Sequence, residues 1–470
     1  LPGKAKGADP LLDLVEPERP RPPRAELVKG DVQAAGGAPR EPPMTLSAAR
    51  RQGLRGWLKV LGPGLITGAS DDDPSGIGTY SQVGAQYGLN LLWMALFTFP
   101  LMTAIQELCA RIALHTGVGL GVNLRRRFPT AVVGPAILAV VVANTINVGA
   151  DLGAVAVGLS MLTRGVVPTR WLILPVALLI LALQLFFSYD VIFRTFKYLT
   201  LALFAYVLTA LLVHPGFLRL LAATVIPHVE LSPDFLTAVT AVLGTTISPY
   251  LFFWQASSEV DEMKAAGQVT ERQRRGTTTS QLRRVRFDTV LGMLLSQVVM
   301  YCIIVSTAGL HGGGGGIQTA QDAARALEPL AGPFAFVLFA LGMIGTGMLA
   351  VPVLSGSAAY ALKEFAGFKG GLAVHPRYRP TFYGVIVLST LVGMAIDLVG
   401  VDPIKALFVT AVINGVVAPP LMVLIVILGS DRRIMGSRVS GRLSRLSNWA
   451  GTALMSLAAL ATLWLDLLHH

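Results

Sequence analysis

Residues 62–88 read GPGLITGASDDDPSGIGTYSQVGAQYG, and the six at the centre, Asp71-Asp72-Asp73-Pro74-Ser75-Gly76, decide the fold. Three consecutive carboxylates stand between two apolar runs, residues 58–66 before them and 77–83 after. Charge at membrane depth is costly, and a residue that carries it there is functional by default. Pro74 removes a backbone donor and crowds the preceding turn, while Ser75-Gly76 offers little resistance to unwinding. A broken helix persists in a bilayer only where its freed backbone faces protein or a water-filled cavity. The stretch is therefore either a discontinuous membrane helix with a cation site at its break, or an extramembrane turn with solvated aspartates.

The rest of the chain favours the membrane. Of its 470 residues 53% are hydrophobic and only 14% charged, and the mean hydropathy is +0.62. Several apolar runs reach the roughly 20 residues that a helix needs to cross a bilayer. The expected class is an all-α polytopic membrane protein. The net charge of +11 does not point to nucleic acid, because the arginines sit in short loops between apolar runs, as the positive-inside rule requires. Cys109 and Cys302 lie in apolar surroundings, so neither a disulfide framework nor a cysteine metal site is expected. There is no nucleophile-and-base arrangement and no cofactor fingerprint, so an enzyme is the least favoured class.

Residues 1–48 are rich in Pro, Gly, Arg and Glu and read as a disordered cytoplasmic tail without a signal-peptide pattern. Eleven spans follow, near 60–86, 91–115, 131–161, 171–187, 195–213, 236–257, 288–310, 333–361, 381–398, 404–428 and 448–467. A cytoplasmic amino terminus places Arg125-Arg126-Arg127, Arg194 with Lys197, the loop 259–287, and residues 363–379 and 432–445 on the inner side. The opposite loops hold few cations: Arg164, Arg170, Arg219, Arg325 and Lys405. That asymmetry predicts a cytoplasmic amino terminus and a carboxyl terminus outside; the expected location is a bacterial plasma membrane. The arginines of loop 259–287 are read as topology-setting charge, with anionic lipid headgroups as the alternative partner. The glycine run after His311 is read as an external linker.

A second break falls in the sixth span, GTTISPYLFFWQ at residues 244–255, where Pro249 sits mid-span beside small hydroxylated residues. Interrupted spans at matching places in two halves point to a transporter built from inverted repeats, with the breaks meeting near the midplane; the alternative is that Pro249 is an ordinary kink, since proline is common in membrane helices. The halves are residues 49–216 and 217–430, with 431–470 supplying a cytoplasmic loop and the last span. Asn144, Asn147 and Asp151 fall on one face of the third span, which lines an aqueous route or makes interhelical hydrogen bonds. Gln297 and Asn414 are lone amides with the same two readings. Glu107 and Arg111 are spaced for an i, i+4 ion pair.

These residues resemble the Nramp divalent-metal transporters. The resemblance runs from Gly62-Pro63-Gly64 through Asp73-Pro74 to Gln86-Tyr87-Gly88 and Leu91-Leu92-Trp93. It continues in Gln106-Glu107-Leu108-Cys109-Ala110-Arg111, His115-Thr116-Gly117, Asn144-Thr145 with Asp151, and the Pro-centred sixth span, covering roughly residues 57–428. It implies the LeuT-type fold: five-plus-five inverted repeats and an eleventh transmembrane helix, with helices 1 and 6 broken around a midplane site. There are departures. The family's Asp-Pro-Gly-Asn is Asp73-Pro74-Ser75-Gly76 here, its Met-Pro-His is Ser248-Pro249-Tyr250, and Ala154 stands where an acid usually follows Asp151. The pattern is similar to the Nramp-related magnesium transporters rather than to proton-coupled transition-metal carriers.

A thioether suits soft ions, whereas carboxylates, carbonyls and water suit Mg²⁺ and Mn²⁺. Mg²⁺ also keeps several waters, for which Gly76 and Ser248 leave room. The expected ligands are Asp73, the carbonyl of Thr245 and the hydroxyl of Ser248. Asp72 is either an attractor for cations or a group facing an aqueous vestibule. The expected function is carriage of a divalent cation by alternating access, weakly or not coupled to protons, with no cofactor besides the carried ion. Two alternatives remain: an organic-solute carrier lined by Tyr250, Phe252, Phe253 and Trp254, and a non-transporting membrane sensor. Nothing in the sequence sets the oligomeric state.

Overall fold

The computed structural model describes residues 62–187, 191, 198, 200–213, 216–310, 317, 319–372, 376–400 and 402–469. The amino-terminal tail, Arg194 with Lys197, and the glycine run after His311 lie outside these residues. The described residues form helices and their connections. In chain order the longer helices are α1 (Pro63–Asp71), α2 (Pro74–Tyr87), α3 (Trp93–Thr116), α4 (Leu120–Arg127) and α5 (Thr130–Leu162). Next come α6 (Thr169–Phe186), α7 (Phe204–Val213), α8 (Phe217–Val225), α9 (Pro233–Thr246) and α10 (Pro249–Ala265). The last five are α11 (Thr279–Ala308), α12 (Ala335–Ala366), α13 (Pro380–Leu398), α14 (Pro403–Ser430) and α15 (Arg442–His469).

Proline opens α1, α2, α9, α10, α13 and α14, the helix position where a missing N–H leaves no bond unmade. Two of those prolines, Pro74 and Pro249, are the breaks. Among the described residues 9 helices are long and apolar enough to cross a membrane, and 10 if α7 and α8, bent by 119°, count as one span. Of the eleven expected spans, the first misses that measure because its break leaves pieces of 9 and 14 residues. The sixth passes it as α9 and α10 together.

Two helix ends lie beyond the expected spans. The expected loop 259–287 is mostly helix: α10 runs on to Ala265, and α11 starts at Thr279 behind a Thr278/Gln281 capping box. Charged residues on either side of the expected start of the seventh span are buried and bonded. Arg284 holds Glu262 at 2.8 Å, and Asp288 accepts from the backbone N–H groups of Gly62, Gly64 and Leu65 at 2.9, 2.7 and 3.2 Å. A carboxylate at the amino end of α1 satisfies donors that have no partner within the helix and complements its dipole. Other arginines of this region are also committed. Arg274 donates to three backbone carbonyls, and Glu271 is gripped by Arg126 and Arg275, each at 2.8 Å. The Arg126 guanidinium, helped by Arg275, holds the Glu271 carboxyl down at about 2. The expected Glu107–Arg111 pair forms at 3.4 Å.

Glycine sets the spacing of the helices around the breaks. A Cβ on Gly68 of α1 would strike the backbone of Gly292 in α11, and one on Gly244 of α9 would strike Ala411 and Gly415 in α14. Gly149 of α5 meets Gly393 of α13 in the same way. Small residues of this kind let membrane helices approach backbone to backbone. Gly68→Leu is accordingly expected to cost about 1–3 kcal/mol through overpacking, read as a lowered melting temperature of the detergent-solubilised protein. An unchanged melting temperature would mean that α1 and α11 separate freely.

Candidate metal site

The two breaks meet. Ser75 Oγ lies 3.4 Å from Thr245 Oγ1, the Tyr80 hydroxyl 3.3 Å from Thr246 Oγ1, and a Cβ on Gly76 would lie 3.4 Å from Thr245 Oγ1. Asp73 sits at the junction as the N-cap of α2, because the residue before a proline leaves the helical region and its side chain then reaches the first turn. Its Oδ1 accepts from Ser75 Oγ at 2.6 Å and Gly76 N at 2.8 Å. Its Oδ2 accepts from Asn147 Nδ2 and the Tyr250 hydroxyl, both at 3.3 Å. The same hydroxyl donates to the carbonyl of Ser70, in the last turn of α1, at 2.9 Å.

On the other side of the junction, Ser248 is the N-cap position of α10, and its hydroxyl donates back to the carbonyls of Gly244 and Thr245, both at 2.8 Å. Ser248 therefore fastens the unwound end of α9 while its oxygen lone pairs stay available. Asp73, Thr245 and Ser248 are each 1% exposed; the junction is closed to bulk water.

Along α5, Asp151 and Asn144 are fully buried. Neither oxygen of Asp151, nor the amide oxygens of Asn144 and Asn147, has a hydrogen-bond partner among the described residues. Asn144 Nδ2 donates to the carbonyl of Leu354 at 3.4 Å. Asp71 and Asp72 face α11, where Ser296 Oγ lies 2.6 Å from Asp71 Oδ2 and 3.2 Å from Asp72 Oδ1. Among the described residues none of these four aspartates forms an ion pair. The junction is thus rich in oxygen acceptors and has no salt-bridged cation of its own.

The remaining expected residues fall elsewhere. Gln297 donates to Thr98 Oγ1 at 3.2 Å and approaches Met102 Sδ at 2.7 Å, tying α11 to α3. Asn414 is buried in α14 with both amide atoms unpartnered among the described residues. Of the aromatic run after Pro249, Phe252 and Phe253 pack in the main core and the rings of Tyr250 and Trp254 in a second cluster, while the Tyr250 hydroxyl reaches the junction. Sequence reasoning missed the Ser70 carbonyl and Ser296. Ser70 gave one usable signal, since the last carbonyls of a helix that stops short have no intrahelical donor. Among the described residues no group of three His, Cys, Asp or Glu side chains converges. An ion here would rest on one carboxylate and neutral oxygens, a donor set for hard cations.

A family model described as natural resistance-associated macrophage protein-like, Nramp, matches residues 64–465. The chain belongs to the Nramp family. Relatives of this Nramp chain include the protein named divalent metal cation transporter MntH in Deinococcus radiodurans, 26% identical over 446 residues, 92% of this chain and 93% of that protein. The MntH of Klebsiella pneumoniae is 24% identical over 406 residues, 85% of this chain and 92% of that one. In structure, a variant of the Eremococcus coleocola manganese transporter matches with a TM-score of 0.70 at 16% identity, covering 90% of this chain and 88% of that one. A second variant matches with a TM-score of 0.69 over 87% of each. At such identity the likeness bears on fold alone, and the fold is the LeuT type expected from the sequence.

Proposed function

We propose that this Nramp chain carries divalent metal cations across the plasma membrane by alternating access and that it favours hard ions, Mg²⁺ and Mn²⁺. The observation that carries the reading is the junction of the two breaks, where the Asp73 carboxylate meets the hydroxyls of Ser75 and Tyr250 and no sulfur ligand stands in the motif positions. The MntH relatives support the substrate class. The ion is held at Asp73 with the Thr245 carbonyl and Ser248 hydroxyl. Asp72 and Asp71 add negative potential on the α11 side, and the α5 oxygens of Asn144, Asn147 and Asp151 line the approach. In this reading the amino terminus is cytoplasmic and the carboxyl terminus outside, as the loop arginines favour.

The test is metal flux into proteoliposomes across a panel of Mg²⁺, Mn²⁺, Ca²⁺, Cd²⁺ and Zn²⁺, with and without a pH gradient. Flux of none of them refutes the reading. Coupling to protons is expected to be weak or absent. Tyr250 and Ala154 stand where the family has groups that titrate, and neither exchanges a proton near neutral pH. Metal uptake should therefore respond to membrane potential and not to an imposed pH gradient. Internal acidification that follows uptake in fixed proportion would contradict this, and would direct attention to Asp151, the acid that remains.

A further inference from the structure

The Tyr250 hydroxyl occupies an unusual position. It has one hydrogen, yet two acceptors converge on it: the Ser70 carbonyl at 2.9 Å and Asp73 Oδ2 at 3.3 Å. The two acceptors lie on either side of the first break, and Tyr250 itself is the second residue after the other break. Its ring is fully buried in an apolar cluster with Val148, Leu152 and Val351, so the hydroxyl is aimed by packing and not by chance.

A carboxylate offers about four acceptor positions, and at Asp73 four donors fill them. The pair on Oδ1 is short, at 2.6 and 2.8 Å, and caps α2. The pair on Oδ2 is long, both at 3.3 Å, and comes from other helices. An incoming cation needs a lone pair of Asp73, and the Oδ2 side is the one that yields at least cost to the helix. Losing Tyr250 from that oxygen also releases the Ser70 carbonyl, which has no intrahelical donor to return to. Two oxygens that converge on one O–H hydrogen converge equally on one cation.

We propose that the Tyr250 hydroxyl is a resident donor standing in the ion's place, given up when the cation arrives, and that it sets the affinity of the site. This rests on the metal-carrier reading above. Tyr250 is then more than a residue that fails to titrate. It satisfies two buried acceptors in the ion-free state, and every binding event must first displace it.

The test is Tyr250→Phe, which keeps the ring and removes the hydroxyl, compared with wild type for Mn²⁺ uptake in proteoliposomes and for Mn²⁺ binding by calorimetry in detergent. With the competing donor gone, KM and Kd for Mn²⁺ should both fall by about fivefold, while Vmax does not rise. A hydroxyl that merely supports the fold would lower Vmax or the yield of folded protein without improving KM. An unchanged or higher Kd in a monodisperse Tyr250→Phe protein overturns the inference and leaves the carrier reading standing. A wild type that neither binds nor moves Mn²⁺, Mg²⁺ or any other ion of the panel overturns both. Tyr250→Leu is the second variant. If neither it nor the Phe variant folds, the hydroxyl is a structural strut and the inference is wrong.

Discussion

Asp73→Ala is expected to abolish metal uptake while the protein still inserts and folds. Asp73 is the one carboxylate at which both breaks converge, and in the closed junction it takes all of its hydrogen bonds from α2, α5 and α10. Alanine also removes the N-cap of α2, which costs about 0.5–2 kcal/mol, so a loss of flux alone would be ambiguous. Asp73→Asn separates the two roles. Its amide oxygen still accepts from Gly76 N and holds the cap, but the charge that offsets dehydration of the ion is gone. Uptake should vanish in both variants, with the melting temperature lowered mainly in the alanine one. Normal flux through a folded Asp73→Asn protein would remove the central site from this account.

The second large effect is expected at Ser248, and it is a change of preference more than of rate. Ser248→Met places a thioether beside Pro249, favouring Cd²⁺, and fills space that the waters of a hydrated Mg²⁺ need. Both changes act in one direction. A swing of about 1.4 kcal/mol in relative affinity is tenfold in selectivity, read as the ratio of Cd²⁺ to Mg²⁺ inhibition of Mn²⁺ uptake. The substitution also deletes the bonds from Ser248 Oγ to the carbonyls of Gly244 and Thr245, so total flux should drop as the end of α9 loosens. Should the ratio stay put in a variant that still transports, Ser248 does not face the ion, and the hard-ion preference needs another source.

Much of this geometry was legible in the sequence because it is written in proline. Pro74 and Pro249 each interrupt an apolar run beside small or hydroxylated residues, which favours a break there, although Pro100, Pro135, Pro175 and Pro352 lie inside continuous helices. Whether two breaks meet depends on packing, yet their matching places in the two halves indicated it. The polar face of α5 followed from helical spacing, and Asn147 indeed reaches Asp73. What stayed hidden depends on partners far away in the chain. Asp288 opens the seventh expected span, and nothing local shows its bond to Gly62, 226 residues away; Arg284 looks solvated until Glu262 neutralises it. Ser296 is one of several hydroxyls along α11, and no local pattern says that it is the one that faces Asp71 and Asp72. Gln297, next to it, looked equally suited to the site, but a rotation of one residue turns it to Thr98 and Met102 of α3 instead.

The glycine contacts between α1 and α11, α5 and α13, and α9 and α14 have a consequence for how such a carrier changes over evolutionary time. Where helices touch through their backbones, the distance between them is fixed by the peptide chain itself and is the same whatever side chains line the cavity nearby. Substitutions at Gly76, Ser248, Tyr250 or Ala154 can therefore alter which ion is held without shifting the frame that holds it. A chain can keep this fold at 16% identity to a manganese transporter. Diversification is expected to be fast in the lining and slow at the seams. A library that randomises both should recover altered ion preferences at the first and almost only loss of folded protein at the second.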